Sequence, residues 1–286
     1  VTDTSTATGA AGNRTPATSG PARIVDRLGH LLAVAPSLGP ARKGWQRLGF
    51  ATGEPHDYFD CEAFEIALNG CGVRVVAPKR GSKPSTAFGG IVHEHLAGAP
   101  GLLGWSWACK DPEAAEKAIE QRCGRSFPQE KSAEGILLPP DLSPGATTLL
   151  ETSNAAKTPE HPNRIDRVDH IVLMVNDSDA VVQAYADAFG LKPKSRSMKE
   201  ARYSFMKVGG ENSSVIEVVG PESPKPGPLG GRAWGVTFAT PDLDGCVRAM
   251  AGEGIQMREP HAAIQGGRIT SLPIPFGGMQ IAVIGE

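Results

Sequence analysis

The sequence predicts an α+β fold of four β-α-β-β-β modules arranged in two pairs, and three observations carry that reading. First, one stretch occurs twice. Val25-Asp26-Arg27-Leu28-Gly29-His30 and Ile165-Asp166-Arg167-Val168-Asp169-His170 are each followed by an apolar run. The two histidines lie 170 − 30 = 140 positions apart in a chain of 286, close to the half-length that a duplicated fold requires. Second, each histidine is followed at a matching distance by a glycine placed to end a helix, Gly49 in one half and Gly190 in the other. Third, Gly104–Asp111 and Gly235–Asp242 share one pattern, a strand and then a helix opened near an aspartate, at equivalent places in the two halves.

The elements follow in order. Leu28–Ala35 reads as a buried strand with a histidine near its entry. Pro36–Pro40 turns the chain into a short helix whose apolar face carries Trp45 and Leu48. Phe50–Glu54 reads as a strand, Phe64–Leu68 alternates as a half-buried strand should, and Asn69-Gly70 is a hairpin signal before Val73–Val76. Lys79–Gly101 reads as a polar, Gly/Pro-rich connection. The second module opens at Leu103–Cys109, continues through a helix capped at Asp111-Pro112, and closes with strands at Ile136–Leu138 and Thr147–Glu151. In the second half, Val168–Val175 leads through the cap-rich turn Asn176–Asp179 into a helix carrying Val181, Val182, Tyr185 and Phe189. Tyr203–Val208 and Ser214–Val219 are strands around Gly209-Gly210. Trp234–Ala239 starts the fourth module, its helix carries Leu243, Val247 and Met250, and strands near Gln256–Pro260, Ile264–Leu272 and Met279–Ile284 finish the chain. The expected division is a flexible N-terminal tail at 1–22, a first domain at 23–151, a linker at 152–164 and a second domain at 165–286.

Composition narrows the function classes. A net charge of −2 with no basic block argues against nucleic-acid binding, and no run is long enough to cross a bilayer. The five cysteines are odd in number and form no CxxC pair, which points to reduced thiols, a cytoplasmic setting and small buried side chains. Paired glycines such as Gly209-Gly210 and Gly266-Gly267 mark turns. None forms a phosphate loop, so a nucleotide site is not expected.

Three segments carry a family resemblance: Val168–Val175 with its His170, Val215–Val219 with its Glu217, and Val236–Asp244. In this order they resemble the glyoxalase/bleomycin-resistance/extradiol-dioxygenase group, the vicinal oxygen chelate superfamily. The likeness covers most of 25–286, more fully in the second half. It implies modules paired into two curved, cup-like mixed sheets. It also implies a divalent metal (Zn, Mn, Fe, Ni or Co) or none, held by residues from the first and last strands of each module. The implied activity is that of an isomerase, epimerase or lyase acting on a small oxygenated organic substrate in the second cup. Alternatives are a metal-free protein that sequesters an antibiotic-like molecule, and an extradiol-type ring-cleaving dioxygenase. A homodimer is among the assemblies the resemblance allows.

Carried over by position, the resemblance assigns His170 and Glu217 as catalytic and as metal ligands, with Gly235 and Ala282 at the remaining places. Glu151 joins them as a third ligand if the second and third modules pair. In the first half, His30 is matched by Arg74, which suits a carboxylate or phosphate rather than a metal, with Gly104 and Leu150 or Glu151 in the second module. Trp234, His261, Arg268 and Gln280 are expected to line the second cup. Trp105 and Trp107 are expected in the core or the cup wall. His93-Glu94-His95 reads as a loop motif without the spacing of a zinc protease.

Overall fold

The computed structural model describes residues 24–286 except 129, 154–157, 199, 211–212, 227–228, 230 and 265. The expected tail and the middle of the expected linker lie outside the described residues. In the first half the chain forms β1 (Arg27–Val34), α1 (Leu38–Arg47), β2 (His56–Tyr58), β3 (Cys61–Ile66) and β4 (Gly72–Pro78). Then come α2 (Ala87–Gly98), β5 (Gly101–Cys109), α3 (Pro112–Cys123), β6 (Lys131–Ser132), β7 (Gly135–Leu137) and β8 (Thr147–Thr152). The second half opens with β9 (Arg167–Met174), α4 (Ser178–Phe189), β10 (Pro193–Met198), β11 (Ala201–Lys207) and β12 (Val215–Pro221). It closes with β13 (Arg232–Ala239), α5 (Leu243–Gly252), β14 (His261–Ala262), β15 (Arg268–Ser271) and β16 (Gln280–Gly285).

These strands make two eight-stranded mixed sheets with one plan, β2-β3-β4-β1-β5-β8-β7-β6 and β10-β11-β12-β9-β13-β16-β15-β14. The first and second modules therefore pair with each other, as do the third and fourth. The order follows from the modules. Each first strand lies parallel to its own last strand, and the two first strands meet antiparallel at the sheet centre. Helices α3 and α4 begin on Asp111 and Asp177, whose carboxylates accept the backbone N–H three residues on. Both end on left-handed glycines, Gly124 and Gly190, where a side chain would be strained.

One face of each sheet enters a shared core. Trp107 and Phe189, from opposite halves, pack with tilted rings and centroids 4.3 Å apart, and Trp105 lies 6.0 Å from Tyr185. Trp45 and Phe50 pack on Phe238 in the same way. Trp105 and Trp107 are thus core residues, with no part in a cup wall. The described end of the expected linker is packed rather than free: His161 accepts from the Ala51 N–H and hydrogen-bonds the Ala67 carbonyl, and the Asn163 amide donates to Leu48.

Several expectations fail for identifiable reasons. Phe50–Glu54 is not a strand; the ladder starts at His56, just past Pro55, which has no N–H to contribute. The turn at Asn69-Gly70 is wider than a two-residue hairpin, because Asn69 pairs outward and donates its N–H to Asp166 of the other half. The expected connection Lys79–Gly101 contains α2. Its N-terminal groups are capped by Thr86 and by the carboxylates of Asp60 and Glu130, and its Phe88 and Val92 are fully buried. Hence His93-Glu94-His95 lies on a helix, not in a loop.

Candidate functional site

The other face of each sheet forms a cup, and the two cups have different contents. The apolar part of the first is filled by α2. Phe88 and Val92 pack against Leu32, Val34, Ala63, Val76, Leu103 and Leu149. What remains is a cavity of about 220 Å³ lined by His30, Tyr58, Arg74 and Glu151 among others.

Both histidines sit at a β-bulge. In β1, Gly29 and His30 together face Ser106, because Leu28 pairs with Trp107 and Leu31 with Trp105. In β9, Val168 pairs with Phe238 and His170 with Thr237, which leaves Asp169 as the extra residue. A bulge interrupts strand alternation and re-aims side chains. Neighbours can then reach the same imidazole.

In the first cup the chain satisfies its own charges. His30 Nδ1 lies 2.6 Å from Glu151 Oε1, and the Ser106 hydroxyl donates to the same oxygen. Arg74 donates to Glu151 (2.8 Å), to the Tyr58 hydroxyl (3.0 Å) and twice to Glu65 (2.6 and 2.9 Å). Glu65 Oε2 lies 3.5 Å from His30 Nε2. Burial alone raises a carboxyl pKa, but hydrogen bonding and charge from His30, with the charge of Arg74, bring Glu151 down to about 2. Burial and Arg74 push His30 down, and its bonds to Glu151 and Glu65 outweigh them, so its pKa is raised. Arg74 does suit a carboxylate, as its residue type implies. The carboxylates it binds are Glu65 and Glu151, so it offers no open anion pocket. Glu151 belongs to this cup and does not join His170 and Glu217.

On the second cup's face Met174 and Trp234 are each 40% exposed. His170 Nδ1 bonds Asp169 Oδ2 at 2.8 Å, and Nε2 meets the Thr237 hydroxyl at 2.9 Å and Glu217 Oε2 at 3.3 Å. A carboxylate only accepts, so Asp169 places a proton on Nδ1 and turns Nε2 toward Glu217. Burial raises the Glu217 pKa, the charges of His170 and Arg196 pull it back, and the rise prevails. Register explains the contrast with the first cup. Glu65 pairs with Arg74, and at the corresponding places Phe205 pairs with Glu217. Glu217 thus has an aromatic ring where the first cup sets a cation and a carboxylate together.

The same register corrects the assumed alignment. Ser106 and Thr237, not Gly104 and Gly235, stand beside the histidines. Glu151 faces Ala108 in the parallel ladder, and Ile284 faces Ala239 in the equivalent one, so Ile284 takes the place assigned to Ala282. Among the other expected residues, Trp234 lies on the open face opposite Leu173 and Val172 and is 40% exposed. His261 is exposed on the edge strand opposite Ile269. Gln280 uses its amide on the Leu272 carbonyl. Arg268 points away from the cup to Asp244 of α5 at 3.0 Å. It shares its helix-side row with Thr270, which is buried, and so cannot meet a ligand in the cup. A separate apolar crevice of about 310 Å³, lined by Leu48, Ile255, Leu272 and Phe276 among others, has Arg47 as its one ionisable lining residue and no acid–base pair.

Asp169, Thr237, Ser106 and Glu65 escaped the sequence reading. Asp169 stood in the quoted repeat, but alternation sends a residue beside a histidine to the opposite face. Only the bulge, visible in the pairing, brings it back.

A protein built of paired βαβββ modules, with a histidine on a first strand and a carboxylate on a last strand, defines a class that comparison confirms. Residues 169–270, within the second half, match the model of the Glyoxalase/Bleomycin resistance protein/Dioxygenase superfamily. Among solved structures, it is similar to a xylose isomerase-like TIM barrel/4-hydroxyphenylpyruvate dioxygenase fusion protein (TM-score 0.66, 14% identity, 93% of this chain and 49% of that one). It therefore spans about half of that protein. It is also similar to a triple mutant of 4-hydroxymandelate synthase from Streptomyces coelicolor (TM-score 0.62, 12% identity, 91% and 92% covered). At these identities the likeness is one of fold. No curated protein sequence matches the chain.

The metal implied by the resemblance can be tested against the donors. At the four places around the second cup stand His170, Glu217, Thr237 and Ile284: one imidazole nitrogen, one carboxylate, a neutral hydroxyl and a hydrocarbon. Oxygen-activating iron sites use two histidines and a carboxylate, and catalytic zinc sites use three protein ligands. In the first cup the guanidinium of Arg74 occupies one of the four places. Among the described residues no group of three His, Cys, Asp or Glu side chains is arranged to hold a metal. The donor sets do not fit the group.

Proposed function

We propose that the chain is an isomerase-type enzyme that moves a proton at a carbon beside a carbonyl of a small oxygenated substrate, held in the second cup. The observation that carries this is the Glu217–His170 pair, 3.3 Å apart on the floor of the cup with Asp169 behind the imidazole. The Glu217 carboxylate takes the carbon-bound proton, and the C–H electrons move into the carbonyl to give an enolate. The enolate oxygen is met by the Thr237 hydroxyl and by His170, whose Nε2 donates when the ring carries a second proton beside the one held by Asp169. Glu217 then returns the proton to the same carbon, as in an epimerisation, or, in a substrate with a hydroxyl on that carbon, to the former carbonyl carbon as the hydroxyl proton passes to the enolate oxygen, so the step balances without an oxidant. The raised pKa brings Glu217 nearer the range where a general base works best. A carbonyl substrate incubated in heavy water with the protein should gain carbon-bound deuterium, and Glu217→Gln should abolish the gain.

A second reading is sequestration without chemistry. Ile284 and Thr237, at places where ligands were expected, support it. It predicts tight binding of a compound that is recovered unchanged and unlabelled. The donor sets speak against ring-cleaving oxygenation.

A further inference from the structure

The two halves meet at two equivalent seams. At one, α3 meets α4, and Arg122 donates to the Ala186 and Asp187 carbonyls near the end of α4. The duplicated plan sets α5 toward α1 at the other. There, among the described residues, no hydrogen bond or ion pair joins α1 to α5 or to 254–256. This seam holds the apolar crevice of about 310 Å³. One wall is the end of α1, with Arg47 and Leu48. The other is Ile255, where the chain leaves α5, and the strap 272–276. In the strap, Pro273 and Pro275 bracket Ile274 and supply no N–H, so this wall is hydrocarbon with few donors. Ile274 is 72% exposed. Residues outside the crevice hold the strap: Arg258 donates to the Pro273 carbonyl, and the Gln280 amide to the Leu272 carbonyl. Arg47 is the one ionisable lining residue, and the other polar side chain, Gln256, is neutral. Arg47 is exposed and also borders the outer cleft that contains Lys43 and Glu253. Among the described residues its guanidinium makes no ion pair or hydrogen bond. Arg74 and Arg122, by contrast, have their donors bonded within the protein.

We infer that this crevice binds a medium-chain aliphatic carboxylate, its chain between Leu48 and the strap and its carboxylate at Arg47. An apolar crevice with one cation at its mouth is complementary to an amphipathic monoanion. The planar guanidinium fork matches a carboxylate, and a single cation balances one negative charge rather than the two of a phosphate ester. At roughly 30 Å³ for each water-sized group, the space holds about ten heavy atoms, the size of octanoate. A chain laid there also covers Ile274. None of the lining residues belongs to the first-cup network or to the His170–Glu217 pair. The ligand therefore bridges α1 of the first half and the strap of the second, and its binding does not depend on proton transfer in the second cup.

The test is isothermal titration calorimetry on the full chain, with octanoate, octanol and butyrate as probes. Octanoate is expected to bind at one site per chain. Octanol, which has the chain without the charge, should bind about tenfold more weakly. Butyrate, which has the charge with half the chain, should bind more than about tenfold more weakly. Two variants locate the site, and both change exposed side chains, so the fold is expected to survive and is checked by circular dichroism. Arg47→Ala should bring octanoate and octanol to near-equal affinity. Ile274→Asp sets a like charge in the apolar wall and should weaken octanoate by about tenfold or more. Octanoate uptake that does not saturate at one site, equal affinity for acid and alcohol in the native protein, or an octanoate affinity unchanged in either folded variant overturns the inference.

Discussion

A side chain at Gly29 would place its Cβ 2.1 Å from Glu151 Oε1. The missing side chain is what lets Glu151 reach His30 across the sheet. In the second half Asp169 stands at the position of Gly29, its own carboxylate bonds the histidine, and Ile284 stands where Glu151 would be. Each histidine keeps a carboxylate on Nδ1, supplied from a different strand.

Gly29→Ala should therefore displace the Glu151 carboxylate and destabilise the protein by about 1–3 kcal/mol, measured by urea unfolding. Glu151→Ala should cost more, about 3–5 kcal/mol, because it leaves Arg74 buried with one carboxylate fewer. A neutral effect from both would mean that the first-cup network contributes nothing to the fold.

Asp169→Asn retains shape but no longer dictates the His170 tautomer. Deuterium exchange in the second cup should fall about 10–100-fold, while stability should change by less than about 1 kcal/mol because Asp169 is partly exposed. Loss of stability in step with activity would assign Asp169 to the fold rather than to the site.

Acid should weaken the fold in a defined window. The folded-state pKa of Glu151 is about 2, below its ordinary 4.5, and that of Glu65 is lowered further. Their contribution is present above 4.5 and is lost as pH falls from there through the folded values. His161 has its pKa lowered by burial, so its neutral, hydrogen-bonded form also loses ground once the unfolded chain begins to protonate below 6.5. His30, whose pKa is raised, contributes below 6.5, and that contribution disappears as pH rises through its folded pKa. Urea midpoints across pH should fall below 4.5, and Glu151→Gln should flatten that fall. An unchanged acid slope in the variant would contradict the assignment.

The modular plan was legible because duplicated strands carry their apolar pattern at face value. Leu31–Val34 is buried throughout, and Ile171, Leu173 and Val175 are buried while Val172 and Met174 turn to the cup. Three kinds of feature were not legible. The polar edge strand β10 contains Lys194, Ser195 and Arg196, whose exposure leaves no apolar alternation to read. Helix α2 contains Gly89-Gly90 and is held by capping carboxylates distant in sequence, Asp60 and Glu130. The site residues Asp169 and Thr237 depend on a bulge and a register that only the paired strands define. The candidates His170 and Glu217 came from the repeat and the family resemblance, and Glu217 added support by interrupting an apolar strand, where a carboxylate needs a partner.

The shared core should make the two halves unfold together. Trp107→Ala should cost about 3–5 kcal/mol and lower one common transition seen by tryptophan fluorescence and by circular dichroism. Two separated transitions would contradict that packing, in which Trp107 rests on Phe189 of the other half.

If Glu217 is the group that moves the proton, carbon-bound deuterium is the direct measure of it. Wild-type protein incubated in heavy water with a carbonyl compound that it binds and that has an adjacent C–H should speed deuterium uptake at that carbon above the uncatalysed rate, read by proton NMR. Glu217→Gln should return uptake to the uncatalysed rate with the protein still folded. Undiminished uptake in the folded Glu217→Gln protein, or no acceleration by the wild type despite demonstrated binding, would contradict the account.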